Sequence, residues 1–162
     1  MNLSKWETLP GLTRWENRFV KLADHVSTWS KDPNTKIGAV VALPFSRQIL
    51  STGYNGLPRG VDDGVPERSS RENGEKYYWY GHAERNAIYN AARFGIQLMD
   101  SIIHLNAGMP CTGCAIAIIQ AGIKGVVCQD GHPTGTDNPK WTEEAERSRV
   151  MFKEAGVGLK LY

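Results

Sequence analysis

His82-Ala83-Glu84 and, downstream, Pro110-Cys111-Thr112-Gly113-Cys114 are the stretches on which the reading of this chain turns. Together they offer one imidazole, two thiols three residues apart and a carboxylate beside the imidazole. Two cysteines at that spacing in the first turn of a helix put both sulfurs on one face, near the positive end of the helix dipole. That environment favours thiolates, the form that binds metal. Adding His82 gives three nitrogen and sulfur ligands, a set suited to a tetrahedral Zn²⁺ that keeps its fourth position for water. Glu84 is then free to move protons. From the residues alone, a purely structural zinc, or a redox cysteine pair with an unrelated histidine, stays open beside this reading.

The chain has 162 residues, enough for one domain spanning 1–162 with a sizeable core and too few for two. A formal net charge of +2, with lysines and arginines scattered along the chain, is not a nucleic-acid signature, and it is compatible with a small anionic substrate. The sequence holds no apolar run of about 18 residues, so no transmembrane helix is expected. Met1 to Glu7 lack the apolar segment of a secretory signal. Three cysteines, two of them in a metal-type pair, argue against a disulfide framework and suit a reducing cytoplasm.

Hydrophobic periodicity supplies the elements around these motifs. Residues 1–12 read as an irregular lead-in, and Thr13-Arg-Trp-Glu16 has capping-box spacing, predicting a helix that starts there. Trp15, Phe19, Val20, Leu22, Ala23, Val26 and Trp29 form its apolar stripe. Pro33 and its Asp and Asn neighbours end it in a turn. Ile37 to Leu43 is a near-continuous apolar run, read as a buried strand, and Gln48 to Tyr54 makes a hairpin partner. Asn55 to Gly60 is a glycine- and proline-rich loop, and residues 61–76 are polar and irregular. The four aromatics Tyr77 to Tyr80 share no single period, and are divided between core and subunit interface.

His82 is expected to open a helix reaching about Arg93, with Gly95 its stop. Ser101 to Asn106 reads as a strand with His104 in its middle as an interior or surface residue. Pro110 fits the first turn of the next helix, placing Cys111 and Cys114 in that turn; Gly122 ends it. Lys124 to Gln129 is a buried strand in which Cys128 is a core residue. A turn-rich loop (130–138), a helix from about Pro139 or Thr142 to Ala155, and a short strand from Val157 to Leu161 complete the order. The fold class that follows is α/β: a three-layer α-β-α sandwich around a five-stranded mixed sheet, with both metal-bearing helices starting at one sheet edge.

With these motifs in view, the sequence resembles the zinc-dependent cytidine deaminase superfamily and, within it, the deoxycytidylate (dCMP) deaminases. The resemblance covers most of the chain. It rests on Ser-Lys-Asp-Pro-Asn-Thr-Lys-Ile-Gly-Ala-Val (30–40), Ser-Thr-Gly-Tyr-Asn-Gly-Leu-Pro-Arg-Gly (51–60), His-Ala-Glu-Arg-Asn-Ala-Ile (82–88), and Pro-Cys-Thr-Gly-Cys-Ala (110–115) followed by Ile-Ile-Gln-Ala-Gly-Ile-Lys (118–124). The His-x-Glu and Pro-Cys-x-x-Cys pair is the signature of zinc nucleobase deaminases. The resemblance implies one catalytic Zn²⁺ held by His82, Cys111 and Cys114, with Glu84 as proton shuttle. It implies a backbone N–H on the base edge, from the residue beside His82, Ala83, or from the residue beside Cys111. Asn55 would contact the sugar, and a basic residue, Lys36 or Lys31, would hold the 5′-phosphate of dCMP. Where such enzymes often carry an aromatic lid, this chain reads Gln129-Asp-Gly-His132-Pro, leaving His132 to stack on the base or approach the phosphate.

Many members of the group are hexamers activated by dCTP and inhibited by dTTP with Mg²⁺. The resemblance therefore makes Gly53, Tyr54, Asn55 and Gly56 an effector loop, Asp62-Asp63 a cation partner, and the chain a homohexamer with no nucleic-acid or membrane partner. Three enzyme rivals share the zinc motif. A tRNA adenosine deaminase calls for a basic surface and usually Met before the second Cys, where Gly113 stands here. A riboflavin-pathway deaminase has a longer, arginine-rich segment there, and a free-cytidine deaminase lacks the Gly-Tyr-Asn-Gly-x-Pro loop. A zinc-stabilised binding module would need a fourth protein ligand and has no use for Glu84.

Overall fold

The computed structural model describes residues 11–131 and 139–162. Residues 1–10 of the expected lead-in and residues 132–138 of the expected loop, His132 among them, lie outside the described residues. Thr13 caps helix α1 (Arg14–Ser27) with a complete capping box: its N–H donates to Glu16 Oε2 at 2.6 Å, and the Glu16 N–H donates to its hydroxyl. The helix stops at Ser27, so Trp29 falls beyond the apolar stripe and is 52% exposed. Strands β1 (Gly38–Ala42) and β2 (Ile49–Tyr54) form the expected antiparallel hairpin. The polar stretch that follows is less irregular than its composition suggests. It carries 3-10 turns at Pro66–Ser69 and Glu72–Gly74, then a one-turn helix, α2 (Lys76–Trp79). Helix α3 (Ala83–Arg93), strand β3 (Ile102–Leu105), helix α4 (Thr112–Gln120), strand β4 (Gly125–Cys128), helix α5 (Pro139–Glu154) and strand β5 (Gly158–Leu161) complete the chain. Gly95, Gly122 and Gly156 sit past the ends of α3, α4 and α5 at positive φ, the conformation a helix C-terminus asks of glycine.

The sheet order is β2-β1-β3-β4-β5. Pairs β2/β1 and β1/β3 are antiparallel, while β3/β4 and β4/β5 are parallel. Side chains along each strand alternate between two covered faces. Ala39, Val41, Ile103, Leu105, Val126 and Cys128 face the main core with Ala83, Ala87 and Ala91 of α3, Ala115 and Ile118 of α4, and Phe152 of α5. Val40 and Ala42 face Phe19 and Ala23 of α1, and Val127 packs with Ile102 near Val20. Cover on both sides explains why β1 reads as an unbroken apolar run. The α1 face also takes the exceptions to apolarity. Lys160 of β5 is buried in an ion pair with Glu16 at 3.0 Å, and the His104 ring lies 4.9 Å from that of Phe19. Of the four aromatics before His82, Tyr80 is buried with its hydroxyl 2.7 Å from that of Ser69, while Tyr78 is 82% exposed. No helix among the described residues is long and apolar enough to cross a membrane.

One close approach sets the position of α3. A Cβ on Gly53 of β2 would stand 2.3 Å from the Ala87 nitrogen and 2.5 Å from the Ala83 carbonyl oxygen, so only glycine lets the helix backbone lie on the strand. Side chains then stitch the two together. Asn86 and Asn90 donate to the Tyr54 and Thr52 carbonyls at 2.8 and 2.7 Å, and the Ser51 hydroxyl donates to the Ala87 carbonyl at 2.7 Å.

His104 donates through Nδ1 to the Val40 carbonyl at 3.3 Å, and burial pulls its pKa down to about 4. In the unfolded chain the same ring takes a proton near pH 6.5. Between those values the unfolded state binds more protons, so stability falls as pH drops from 6.5 toward 4, by at most about 3 kcal/mol. Urea unfolding across that range checks this, and a His104→Phe variant is expected to lose that part of the pH slope.

Candidate metal centre and active site

His82 and Cys111 are the N-cap residues of α3 and α4, both with extended backbone. Pro110 accordingly stands just outside α4, one residue before its cap, rather than in the first turn. The helix begins later than the sequence indicated because the cysteine itself makes the turn. N-cap side chains ordinarily bend back to bond the first free N–H groups of the helix. These two do not. They turn outward to each other: His82 Nδ1 lies 3.4 Å from Cys111 Sγ and 3.4 Å from Cys114 Sγ. All three ligand atoms fall within 4.8 Å of one another. Tetrahedral zinc with ordinary bond lengths requires nitrogen–sulfur separations of about 3.6 Å, so the donor set and its spacing both fit the ion.

The charges of the three side chains make the same point. Cys111 is pulled down to about 4, first by the hydrogen bond from the Cys114 thiol and then by His82, against the opposing effect of burial. That same bond, with burial, pushes Cys114 well up. His82 is raised chiefly by its bond to Cys111. Two sulfurs thus share one proton at a spot where a dication would release it. Glu84, the second residue of α3, is buried, and burial raises its carboxyl despite the favourable charge of His82.

Among the described residues no fourth protein ligand joins this group. Cys128 sits in β4 against Met109, its Sγ 3.7 Å from the thioether sulfur, and burial pushes its thiol up to about 12. His104 lies on the opposite face of the sheet, against Phe19. The N-terminus of α4 finds its cap elsewhere: Glu144 of α5 accepts from the N–H and the hydroxyl of Thr112, at 3.2 and 3.3 Å. Nothing in the sequence around Glu144 marks it as a cap for another helix.

The remaining candidates are distributed around this centre. Ala83 is the first residue of α3 and fully buried, with its N–H at the helix end where intrahelical acceptors are missing. Asn55 is buried and bonded on every side. Its Nδ2 donates to Asp32 Oδ2 and to the Thr35 carbonyl at 2.8 Å each, its Oδ1 accepts from the Ile37 N–H at 2.8 Å, and its carbonyl accepts from the Ser30 hydroxyl at 2.6 Å. Lys36 is exposed and donates to the Ser30 carbonyl at 2.7 Å, whereas Lys31 is paired with Asp63. That pair, with the bond from the Gly64 N–H to Asp62 Oδ1, engages both acidic side chains expected to meet a cation. Gly53 lies under α3, Tyr54 is partly exposed with its ring edge-on to Trp29, and Gly56 pairs with Gly81 immediately before His82. A cavity of about 290 Å³ between Met109, Asp130 and the α5 residues Trp141 and Arg149 is lined by none of the three ligands.

Sequence reasoning missed Lys76, which is buried and ion-paired with the fully buried Asp32. Asp32 read only as a turn former, and nothing in the pattern around Lys76 marks a lysine that folds inward.

Comparison with known proteins bears on the same residues. Residues 13–130 match the cytidine and deoxycytidylate deaminase zinc-binding region. An uncharacterised deaminase encoded in the luxG 3′ region of Aliivibrio fischeri is 38% identical over 148 residues, covering 90% of this chain and 92% of that protein. Human deoxycytidylate deaminase is 36% identical over 146 residues, covering 88% of this chain and 76% of the human one. In fold, the chain is similar to the dCMP deaminase of cyanophage S-TIM5 crystallised with dCMP and dUMP, with a TM-score of 0.70 at 22% identity, over 94% of this chain and 100% of that one.

Zinc retention tests the ligand set directly. After zinc loading and gel filtration, the wild-type chain is expected to keep about one equivalent of metal. Cys111→Ser and Cys114→Ser should lose it, and Cys128→Ala should not. A full equivalent in Cys114→Ser, measured by atomic absorption, would remove that residue from the site.

Proposed function

The chain belongs to the zinc-dependent cytidine and deoxycytidylate deaminase family, and from that premise we propose that it hydrolyses dCMP to dUMP and ammonia. The observation that carries this reading is the three-ligand group His82, Cys111 and Cys114, spaced for zinc, lacking a fourth protein ligand among the described residues and accompanied by the buried carboxylate of Glu84. A purely structural zinc would have no use for that carboxylate. The choice of dCMP is supported by the 36% identity to the human deoxycytidylate deaminase.

His82, Cys111 and Cys114 would hold the zinc, which when bound would bring a water's pKa toward neutrality and so supply hydroxide at physiological pH. Glu84 takes the water's proton and delivers it to ring N3 of the cytosine, which makes C4 electrophilic. The hydroxyl oxygen adds to C4; Glu84 then takes the proton of the new C4 hydroxyl and passes it to the exocyclic amino group. The C4–N bond then breaks, ammonia departs and the uracil carbonyl forms. Burial suits Glu84 to this traffic, because a carboxyl with a raised pKa holds and gives up a proton closer to neutral pH. The Ala83 N–H orients the base edge, and Asn55 and its loop border the sugar. Lys36, which has no acidic partner among its described contacts, receives the 5′-phosphate in preference to Lys31, which Asp63 already neutralises.

The same kinship carries finer proposals: a cytoplasmic homohexamer, activated by dCTP and inhibited by dTTP at the loop Gly53 to Gly56. Exposed Tyr78, Tyr89, Phe94 and Ile116 supply apolar surface in support of assembly, and the partly exposed ring of Tyr54 supports a nucleotide contact at the loop.

Glu84→Gln should keep its zinc and lose between about 10² and 10⁴ of kcat on dCMP, the usual worth of a general acid–base. Undiminished ammonia release by this variant would sink the mechanism; release by the wild type from an adenosine stem-loop but not from dCMP would reassign the substrate. Lys36→Ala is expected to raise KM for dCMP about tenfold or more while barely moving that for deoxycytidine. Equal effects on the two would clear Lys36 of the phosphate.

A further inference from the structure

Asp32 and Lys76 form a buried ion pair that includes none of the metal ligands. Removing two charges from water costs several kcal/mol per ion before their attraction is counted, so such a pair is poor evidence of stabilisation by itself. Its surroundings give it another use. Asp32 Oδ2 meets both Lys76 and Asn55 Nδ2, while Oδ1 accepts from the Asn34 and Thr35 N–H groups at 2.9 and 3.3 Å. Those contacts saturate the carboxylate and hold the carboxamide of Asn55 in one orientation. The Asn55 N–H adds a bond to the Ile37 carbonyl at 3.1 Å.

Lys76 also stands on the chain that leads into the metal centre. It opens the short helix α2, five residues before Gly81, and Gly81 exchanges backbone hydrogen bonds of 3.1 and 2.8 Å with Gly56. One side chain therefore joins the loop after β2 to the segment that delivers His82 and Glu84. We infer that Lys76 is a positioning residue for substrate binding: by neutralising buried Asp32 it fixes Asn55 and locks the nucleotide-side loop to the lead-in of α3. The inference rests on the reading of this site as a dCMP deaminase, and it assigns Lys76 no contact with substrate or zinc.

Lys76→Met and the gentler Asp32→Asn test it together, Asp32→Asn deciding alone if Lys76→Met does not fold. Each variant should keep its zinc, raise KM for dCMP about tenfold or more and leave kcat within about twofold. Amide hydrogen exchange at Asn55 and Gly56 should quicken about tenfold or more, with exchange in the core strands unchanged. Unchanged KM and exchange in a folded, zinc-replete variant would overturn the inference. So would loss of zinc and kcat in parallel, the mark of a merely structural role. Failure of the wild type to turn over dCMP would count against the substrate instead, and the exchange measurement would still judge the tether.

Discussion

The backbone contact of α3 with β2 at Gly53 is the constraint from which the site's geometry follows. A helix laid against a strand with no side chain between them has little freedom to slide, and the asparagines and serine beside the contact fix its position further. With α3 held there, its first residues reach the edge at which α4 begins, and His82 meets the two cysteines. The ligand cluster is thus set by backbone packing that begins at Ala83, the residue next to His82, rather than by the ligands alone. This is how a rigid scaffold supplies the sub-ångström placement that metal chemistry requires.

Both helices give up their own caps to build the centre. His82 and Cys111 occupy the positions where a serine or aspartate would close the helix end, and their side chains serve each other instead. The N-termini of two helices then bring positive potential to one spot, which favours the thiolate sulfur that binds metal. The open donors are not all left idle. Glu144 reaches from α5 to the first N–H of α4, so the third helix of that layer completes an end that the metal ligand left open.

Much of this was legible in the sequence, for identifiable reasons. The capping box at Thr13 and Glu16, the doubly covered run of β1 and the glycine stops after three helices are local signals with local causes. The ligands were readable because their spacing has few other uses. Less legible were the features that depend on distant partners. Pro110 looked like a first-turn proline, because nothing nearby shows that the cysteine after it would serve as cap. Asn55 read as a sugar contact, and nothing in its neighbourhood announces that its amide also bonds Asp32, Thr35 and Ile37. Lys76 and Glu144 carry ordinary surface chemistry in one dimension, and only the fold turns the first inward and aims the second at another helix. Polar residues used for internal bonding have no periodicity to betray them.

The stitching of α3 onto β2 has a further effect, at the border of the sheet. Strand β2 is the outermost on its side, and an outermost strand offers unpaired carbonyls to any passing polypeptide. Here Asn86 and Asn90, one helical turn apart, occupy the carbonyls of Thr52 and Tyr54, two residues apart along the strand. The helix repeat and the strand repeat match closely enough for one element to shield the other. Two of the carbonyls that an added strand would need are thereby already bonded, which disfavours growth of the sheet on this side.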